Sequence, residues 1–284
     1  KEEDYVKNLF IASTHDYVLF FTNTGRVHRK KGYLIPEAGR TARGTNIVNI
    51  LPLEQGERVT AMLLTRQFTD HEYLMMVTRG GTVKRIRLDA LYTARKAGIR
   101  ALSLDEGDEL ISVLQTSGED KILLATHDGM AICFAETDAR AMGRDAVGVR
   151  GIRLREGDYV VGAGIAAEGA AILSITENGY GKRTDVGEYS VQNRGGMGLK
   201  NYNVTDKTGP VADVVIVTGD EDLLVISDDG TIIRMDVGSI SLLSRSTQGV
   251  RVMRLTGDAK VISIAHTVKE DSAEADSPEA REES

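Results

Sequence analysis

The sequence predicts an all-β protein built as a propeller-like array, and three observations carry that expectation. First, a polar turn closed by glycine recurs along the 284 residues, at Thr22–Gly25, Thr78–Gly81, Thr126–Gly129, Thr176–Gly179 and Ser227–Gly230, with its glycines 56, 48, 50 and 51 residues apart. Second, another glycine follows each turn glycine at a nearly fixed distance: Gly44, Gly98, Gly148, Gly198 and Gly249 lie 19, 17, 19, 19 and 19 residues on. Third, the run before each turn is short and apolar, as in Tyr17–Phe21, Lys121–Ala125 and Leu223–Ile226. Runs of that length bounded by turn residues read as strands rather than helices. A period of about 50 residues with roughly four strands is one propeller blade.

Within each copy the elements follow in a set order. The first turn is a hairpin whose glycine supplies the positive φ that the turn requires. Short stretches such as 88–96 and 137–142 then leave room for one helical turn, too little for a βαβ crossover. An acidic turn comes next in most copies: Glu54–Glu57, Asp105–Asp108, Arg155–Asp158 and the shorter Gly257–Asp258.

Composition narrows the function. The single cysteine, Cys133, excludes a disulfide-stapled fold and is most simply a small buried hydrophobe. No apolar run approaches the roughly 18–20 residues that cross a membrane, so no membrane partner is expected, and the absence of a signal peptide points to the cytoplasm. The net charge of −7 argues at first against nucleic acid. Five of those charges belong to residues 269–284, which hold seven acids and two bases and read as a disordered acidic tail. Residues 1–268, the expected folded domain, sum to −2. The tail is expected either to compete with a polyanion for the domain or to be a solvated terminus.

The bases are placed by the repeat. Four residues after the turn glycine stand Arg29, Arg85, Cys133, Arg183 and Arg234; two after the second glycine stand Asn46, Arg100, Arg150, Lys200 and Arg251. In the first copy Arg43 precedes its glycine instead, and Arg26, Lys30, Lys31, Lys84, Arg87, Arg95, Lys96 and Lys182 thicken the pattern. Equivalent slots on blades around an axis predict a basic belt, with the acidic turns at a separate slot. Such a belt suits the phosphate backbone of double-stranded DNA, which asks for charge and bidentate donors rather than base readout. The competing reading is that these bases solubilise exposed strand edges.

Other motifs fail on context. Gly162–Ala167 matches the dinucleotide fingerprint G-x-G-x-x-A, but a strand follows where a helix is required. Gly179–Lys182 lacks the spacing of a P-loop. His15 beside Asp16 and His127 beside Asp128 sit at turns, and no zinc spacing or G-x-S-x-G occurs. No catalytic or metal site is expected.

The segments 35–53, with 140–143, 148–154 and 177–184, closely resemble the C-terminal domain of the DNA gyrase A subunit. The resemblance runs along essentially the whole of residues 1–266. It implies a β-pinwheel, a six-bladed propeller-like disc of four-stranded blades that exchange strands with their neighbours, its first blade truncated here. It also implies a basic rim that bends and wraps DNA without sequence specificity, so that the holoenzyme introduces negative supercoils. DNA-binding residues on this reading are those named above together with Arg40 and Arg194. Expected partners are duplex DNA, the gyrase B subunit, and the rest of the gyrase A polypeptide in an A2B2 assembly in the nucleoid. ATP and magnesium are used by the holoenzyme, with no cofactor and no catalytic residue in this chain.

Two departures from the family pattern matter. The signature box Q-[K/R]-R-G-G-[K/R]-G belongs to a first blade whose opening part would precede Lys1, leaving five full motif sets plus a strand at Lys7–Ser13. A degenerate copy stands at Gln192-Asn193-Arg194-Gly195-Gly196-Met197-Gly198, with both flanking bases replaced. It is either a DNA clamp or a loop retained for its turn. Without the true box, wrapping by this chain alone is expected to be impaired or lost while binding persists. Two alternatives remain: the equivalent domain of topoisomerase IV, which generally lacks the box, and a propeller-like protein-interaction scaffold.

Overall fold

The computed structural model describes residues 12–39, 42–92 and 98–268. The first copy gives β1 (Tyr17–Thr22), β2 (Arg26–Lys31) and β3 (Val59–Thr65). The second gives β4 (Tyr73–Thr78), β5 (Thr82–Arg87), the two-residue β6 (Ile99–Arg100) and β7 (Leu110–Thr116). The third gives β8 (Lys121–Thr126), β9 (Met130–Ala135), β10 (Val149–Arg150) and β11 (Val160–Ile165). The fourth gives β12 (Ala171–Thr176), β13 (Tyr180–Asp185), β14 (Leu199–Lys200) and β15 (Val211–Val217). The fifth gives β16 (Glu221–Ser227), β17 (Ile232–Asp236), β18 (Val250–Arg251) and β19 (Val261–Val268). All five turn glycines have positive φ, between 81° and 87°. The helical turns are single 3-10 turns, such as Leu88–Leu91 and Glu136–Asp138.

Strand order shows how the copies interlock. The sheets run β3-β1-β2-β6, β7-β4-β5-β10, β11-β8-β9-β14, β15-β12-β13-β18 and β19-β16-β17. Each outermost strand therefore comes from the copy after the one that supplies the rest of its blade. The innermost strands lie side by side in the order β3, β7, β11, β15, β19, the axis of a propeller-like disc.

The six-bladed expectation is corrected: the described residues form five blades, four of four strands and the last of three. The reason is the exchange itself. A blade needs its own hairpin and an outer strand from the next copy; the described residues hold five hairpins, and none of their strands lies outside β17. The strand expected at Lys7–Ser13 falls almost wholly outside the described residues.

The second glycines are explained by the same exchange. A Cβ on Gly148 would overlap the carbonyl oxygen of Val83, and one on Gly198 that of Ala131. Both have positive φ and lie against the preceding blade. Gly44 has open space around it, as fits a first copy with no described hairpin before it. The glycines of the false dinucleotide motif also have a packing cause. Gly162 and Gly164 lie on β11, where a Cβ would strike Val214 and Ile216 of β15.

Apolar side chains fill the seams between blades. Met75, Val77 and Val83 of the second blade meet Ile122, Leu124, Ile132 and Phe134 of the third. Burial of each such side chain contributes roughly 1.5–3 kcal/mol. Cys133 is buried with Leu123, Ile172 and Tyr202 in the next seam, and burial raises its thiol pKa. The first blade's other face, Val18 and Phe20, is covered by Ile35, Ile47, Ile50 and Leu51 of its own long loop.

One seam also holds a buried carboxylate. Glu136 accepts hydrogen bonds from Thr116 Oγ1 (2.6 Å), Gly118 N (2.7 Å) and Asp120 N (2.8 Å), with Arg85 Nη1 at 3.5 Å. Glu136→Ala leaves those donors and Arg85 without their acceptor. We expect it to cost about 3–5 kcal/mol, read from the guanidinium chloride midpoint; a loss below about 1 kcal/mol would contradict this role.

Candidate nucleic-acid interface

The two basic slots have different fates. Side chains alternate faces along a strand, so the fourth residue after the turn glycine points toward the next blade. Arg29 pairs with Leu19, Arg85 with Met75, Arg183 with Leu173 and Arg234 with Leu224. Arg29 is enclosed by the rings of Tyr17, Phe68 and Tyr92 at 5.0–5.6 Å. Arg85 lies over Tyr73 and beside Glu136. Arg183 Nε donates to Ile240 O (2.8 Å). Arg234, on the last of the described blades, pairs with Asp222 at 2.9 Å. At Arg29, Arg85 and Arg183 this slot stitches blades together rather than forming a belt.

The third residue after the turn faces the preceding blade, which removes Lys84 and Lys182 from the expected DNA surface. Both are fully buried. Lys84 Nζ donates to Ala101 O (2.8 Å) and Arg144 O (2.6 Å). Lys182 Nζ donates to Ser244 O and Arg245 O (both 2.8 Å) and to Thr247 O (2.9 Å). Burial lowers both pKa values to about 8, against the opposing pull of Asp145 on Lys84 and Glu188 on Lys182. Their role is to hold the loops that lead into β10 and β18.

The second slot does reach the rim. Arg100, Arg150, Lys200 and Arg251 end β6, β10, β14 and β18, the outermost strands of four consecutive blades, and all four are exposed. Arg251 Nη2 donates to the Tyr180 hydroxyl at 2.8 Å. Among the described residues none of the four is ion-paired, unlike Arg26 with Glu54 and Arg87 with Asp89. Lys31 Nζ donates to His15 O (2.8 Å) and lies over Tyr17. Lys30 is half-buried and Arg43 exposed. Arg40, Arg95 and Lys96 lie outside the described residues.

The box-like loop is bonded to the third blade. Gln192 N donates to Cys133 O (2.8 Å), Gly195 N to Gly151 O (2.6 Å) and Arg153 N to Gly196 O (2.8 Å). Arg194 Nε reaches Asp138 O (2.9 Å) and its Nη1 Arg150 O (3.1 Å). Arg245 Nη1 makes the same contact one blade on, to Lys200 O at 3.0 Å. Arg144, Arg194 and Arg245 thus form a third repeated slot, six residues before each outer-strand base. Counting back from Arg150 and Arg251 exposes it; Arg194 alone entered through its motif.

Acids lie elsewhere. The crossings that lead into β7, β11 and β19 pass over the hairpin-turn end of the disc and carry the acidic turn, while the crossing into β15 carries Lys207 at that place. Asp108 and Asp158 there bond the backbones of Gly80 and Asp128. His127, Asp128 and Asp158 bring possible metal-ligand atoms within 4.8 Å, but Asp158 Oδ1 already accepts from the Asp128 and Tyr159 amides. Among the described residues no helix is long and apolar enough to cross a membrane.

A strand-exchanging β-propeller with an exposed basic residue on successive outer strands is the class these features define. The family model described as "DNA gyrase C-terminal domain, beta-propeller" matches residues 16–66, 72–117, 120–167, 171–218 and 221–267, one segment per blade. The chain belongs to this family. The DNA gyrase A subunit of Staphylococcus aureus strain MRSA252 is 45% identical over 276 residues, 96% of this chain and 31% of that protein. Its counterpart from strain NCTC 8325 is also 45% identical, over 273 residues. The chain thus spans about a third of the length of these relatives. A crystal structure of the C-terminal domain of DNA topoisomerase IV has a TM-score of 0.85 at 26% identity, covering 92% of this chain and 82% of that one. A DNA gyrase A C-terminal domain has a TM-score of 0.76 at 27% identity, covering 90% and 84%.

Proposed function

We propose that this chain binds duplex DNA through its phosphate backbone along the outer strands and bends it, without sequence specificity. It does so as the DNA-holding domain of a gyrase A polypeptide. The observation that carries this reading is the recurrence of Arg100, Arg150, Lys200 and Arg251 on four successive outer strands, exposed and without carboxylate partners among the described residues. On this reading the partners are DNA, the gyrase B subunit, and the rest of the gyrase A polypeptide, in the cytoplasm. ATP and magnesium serve the strand-passing parts of that enzyme, part of a type II topoisomerase, and this domain supplies no catalytic group. Residues 1–268 form the DNA-binding domain. The acidic segment 269–284 acts as a competitor for its basic surface.

The topoisomerase IV domain is the second reading, favoured by the higher TM-score. Identity of 45% along nearly the whole chain to gyrase A polypeptides, with the Gln192–Gly198 remnant, outweighs it. Binding to a labelled duplex across a salt series tests the proposal. Four phosphate contacts predict a slope of log K against log salt of about −4 or steeper. No binding at low salt, with residues 269–284 also removed, would leave the scaffold reading in its place.

A further inference from the structure

The hairpin-turn end of the disc carries two equivalent hollows of opposite charge. One, of about 440 Å3, lies between the second and third blades and is lined by Asp105, Glu106, Asp108 and Asp158 with a single cation, Arg79. The other, of about 420 Å3, lies two seams on, between the fourth and fifth blades. Here Lys207, Arg251, Arg254 and Lys260 line the hollow and no carboxylate does. Position by position, Lys207 stands where the second and third copies have Glu106 and Glu156, and Lys260 stands where the first three have Arg58, Glu109 and Tyr159.

Three of the cations are held by uncharged partners that leave their charge available. Tyr180 lies under the Arg251 guanidinium (5.4 Å) and the Lys207 ammonium (5.3 Å). Lys260 Nζ donates to Asn178 Oδ1 (2.6 Å), and Asn178 Nδ2 donates in turn to Asp206 O and Lys207 O. Asp206 and Asp258 flank the hollow in sequence, yet among the described residues none of its four cations is ion-paired. Four unneutralised cations around one concavity form an anion site, and Arg251 also belongs to the outer-strand series. The hollow is therefore continuous with the rim.

We infer that this hollow is a phosphate site, taken by the backbone of the duplex where it passes from the rim onto the hairpin-turn end of the disc. The inference rests on the DNA-binding reading and adds a place where the path leaves the outer strands. The second–third seam repels the backbone at the equivalent position, so the exit is confined to one side of the disc.

The test compares two charge reversals in the 284-residue chain. Lys207→Glu restores the acid of the sibling copies; Lys121→Glu makes the same change at the opposite strand end, where Lys121 is exposed. On a duplex of about 100 bp, Lys207→Glu is expected to flatten the salt slope by about 1 and weaken binding about tenfold, while Lys121→Glu leaves both unchanged. Equal effects of the two, or none for Lys207→Glu, overturn the site. Amine acetylation of the unaltered chain gives an answer free of folding effects: duplex is expected to protect Lys207 and Lys260 but not Lys121. Unchanged acetylation of Lys207 and Lys260 in the presence of bound duplex overturns the inference and leaves rim binding standing. Inorganic phosphate at constant ionic strength is expected to give no such protection; protection by phosphate alone would assign the hollow to free phosphate. A chain that binds no duplex at all ends both readings.

Discussion

Replacing Arg150, Lys200 and Arg251 together by alanine is expected to weaken duplex binding about a hundredfold at 0.15 M salt. Each phosphate contact adds about 0.9 to the salt slope. Three lost contacts flatten that slope by about 2.7, which at 0.15 M corresponds to roughly two decades of affinity. The residues sit at the ends of β10, β14 and β18, with exposed side chains, and alanine suits a surface strand end, so stability should change by no more than about 0.5 kcal/mol each. Affinity read by fluorescence anisotropy, with the unfolding midpoint measured in parallel, checks both halves. A triple variant that binds like the parent would remove the outer strands from the interface.

Lys182→Met is the second large effect, and it acts on stability. Methionine fills the lysine's volume but removes the ammonium from the carbonyls of Ser244, Arg245 and Thr247. Ser244 O keeps Thr247 Oγ1 and Thr247 O keeps the Asn203 amide, while Arg245 O loses its donor. The loss is expected to be about 2 kcal/mol at pH 7, because burial of the ammonium already offsets part of what those bonds contribute. The pH dependence has a defined sign. Burial lowers the folded pKa from 10.5 to about 8, so between those values the unfolded chain holds a proton that the folded chain has released. Stability of the parent relative to Lys182→Met therefore rises with pH across that window, by up to about 1.4 kcal/mol per unit, and is flat below pH 8. Denaturant unfolding at pH 7, 8, 9 and 10 reads the difference; a gap that stays constant as pH rises would mean that the lysine is not desolvated, and one that narrows would mean that its pKa is raised by folding.

Much of the fold was legible because its cause is local. Turn glycines require positive φ, apolar runs of four to six residues form strands, and both recur in register, so five copies could be counted directly. The exchange of outer strands was not legible from those signals. β6, β10, β14 and β18 are two residues long, too short for any periodicity, and only the second glycines mark where they press on the preceding blade. That is why a six-bladed disc was expected where five blades stand: the number of blades follows from hairpins, and the resemblance supplied one more than the described residues contain.

The interface was half legible. Sequence position gave equivalent slots, but which way a side chain points depends on the pleat. Arg29, Arg85 and Arg183 face the seam and Lys84 and Lys182 the preceding blade, while Arg100, Arg150, Lys200 and Arg251 reach solvent. A count of bases cannot separate these. Lys207, Arg254 and Lys260 were missed for a different reason: they lie on crossings outside the two basic slots, and Lys207 breaks the repeat, standing where the second and third copies are acidic.

Arginine-specific modification of the chain, with and without saturating duplex, tests the central claim most directly. Arg100, Arg150 and Arg251 are expected to be protected together by one duplex, while Arg66, exposed at the far strand end beside Asp16, reacts equally in both states. Bound duplex that leaves all three outer-strand arginines as reactive as in the free chain would contradict a DNA path around the rim.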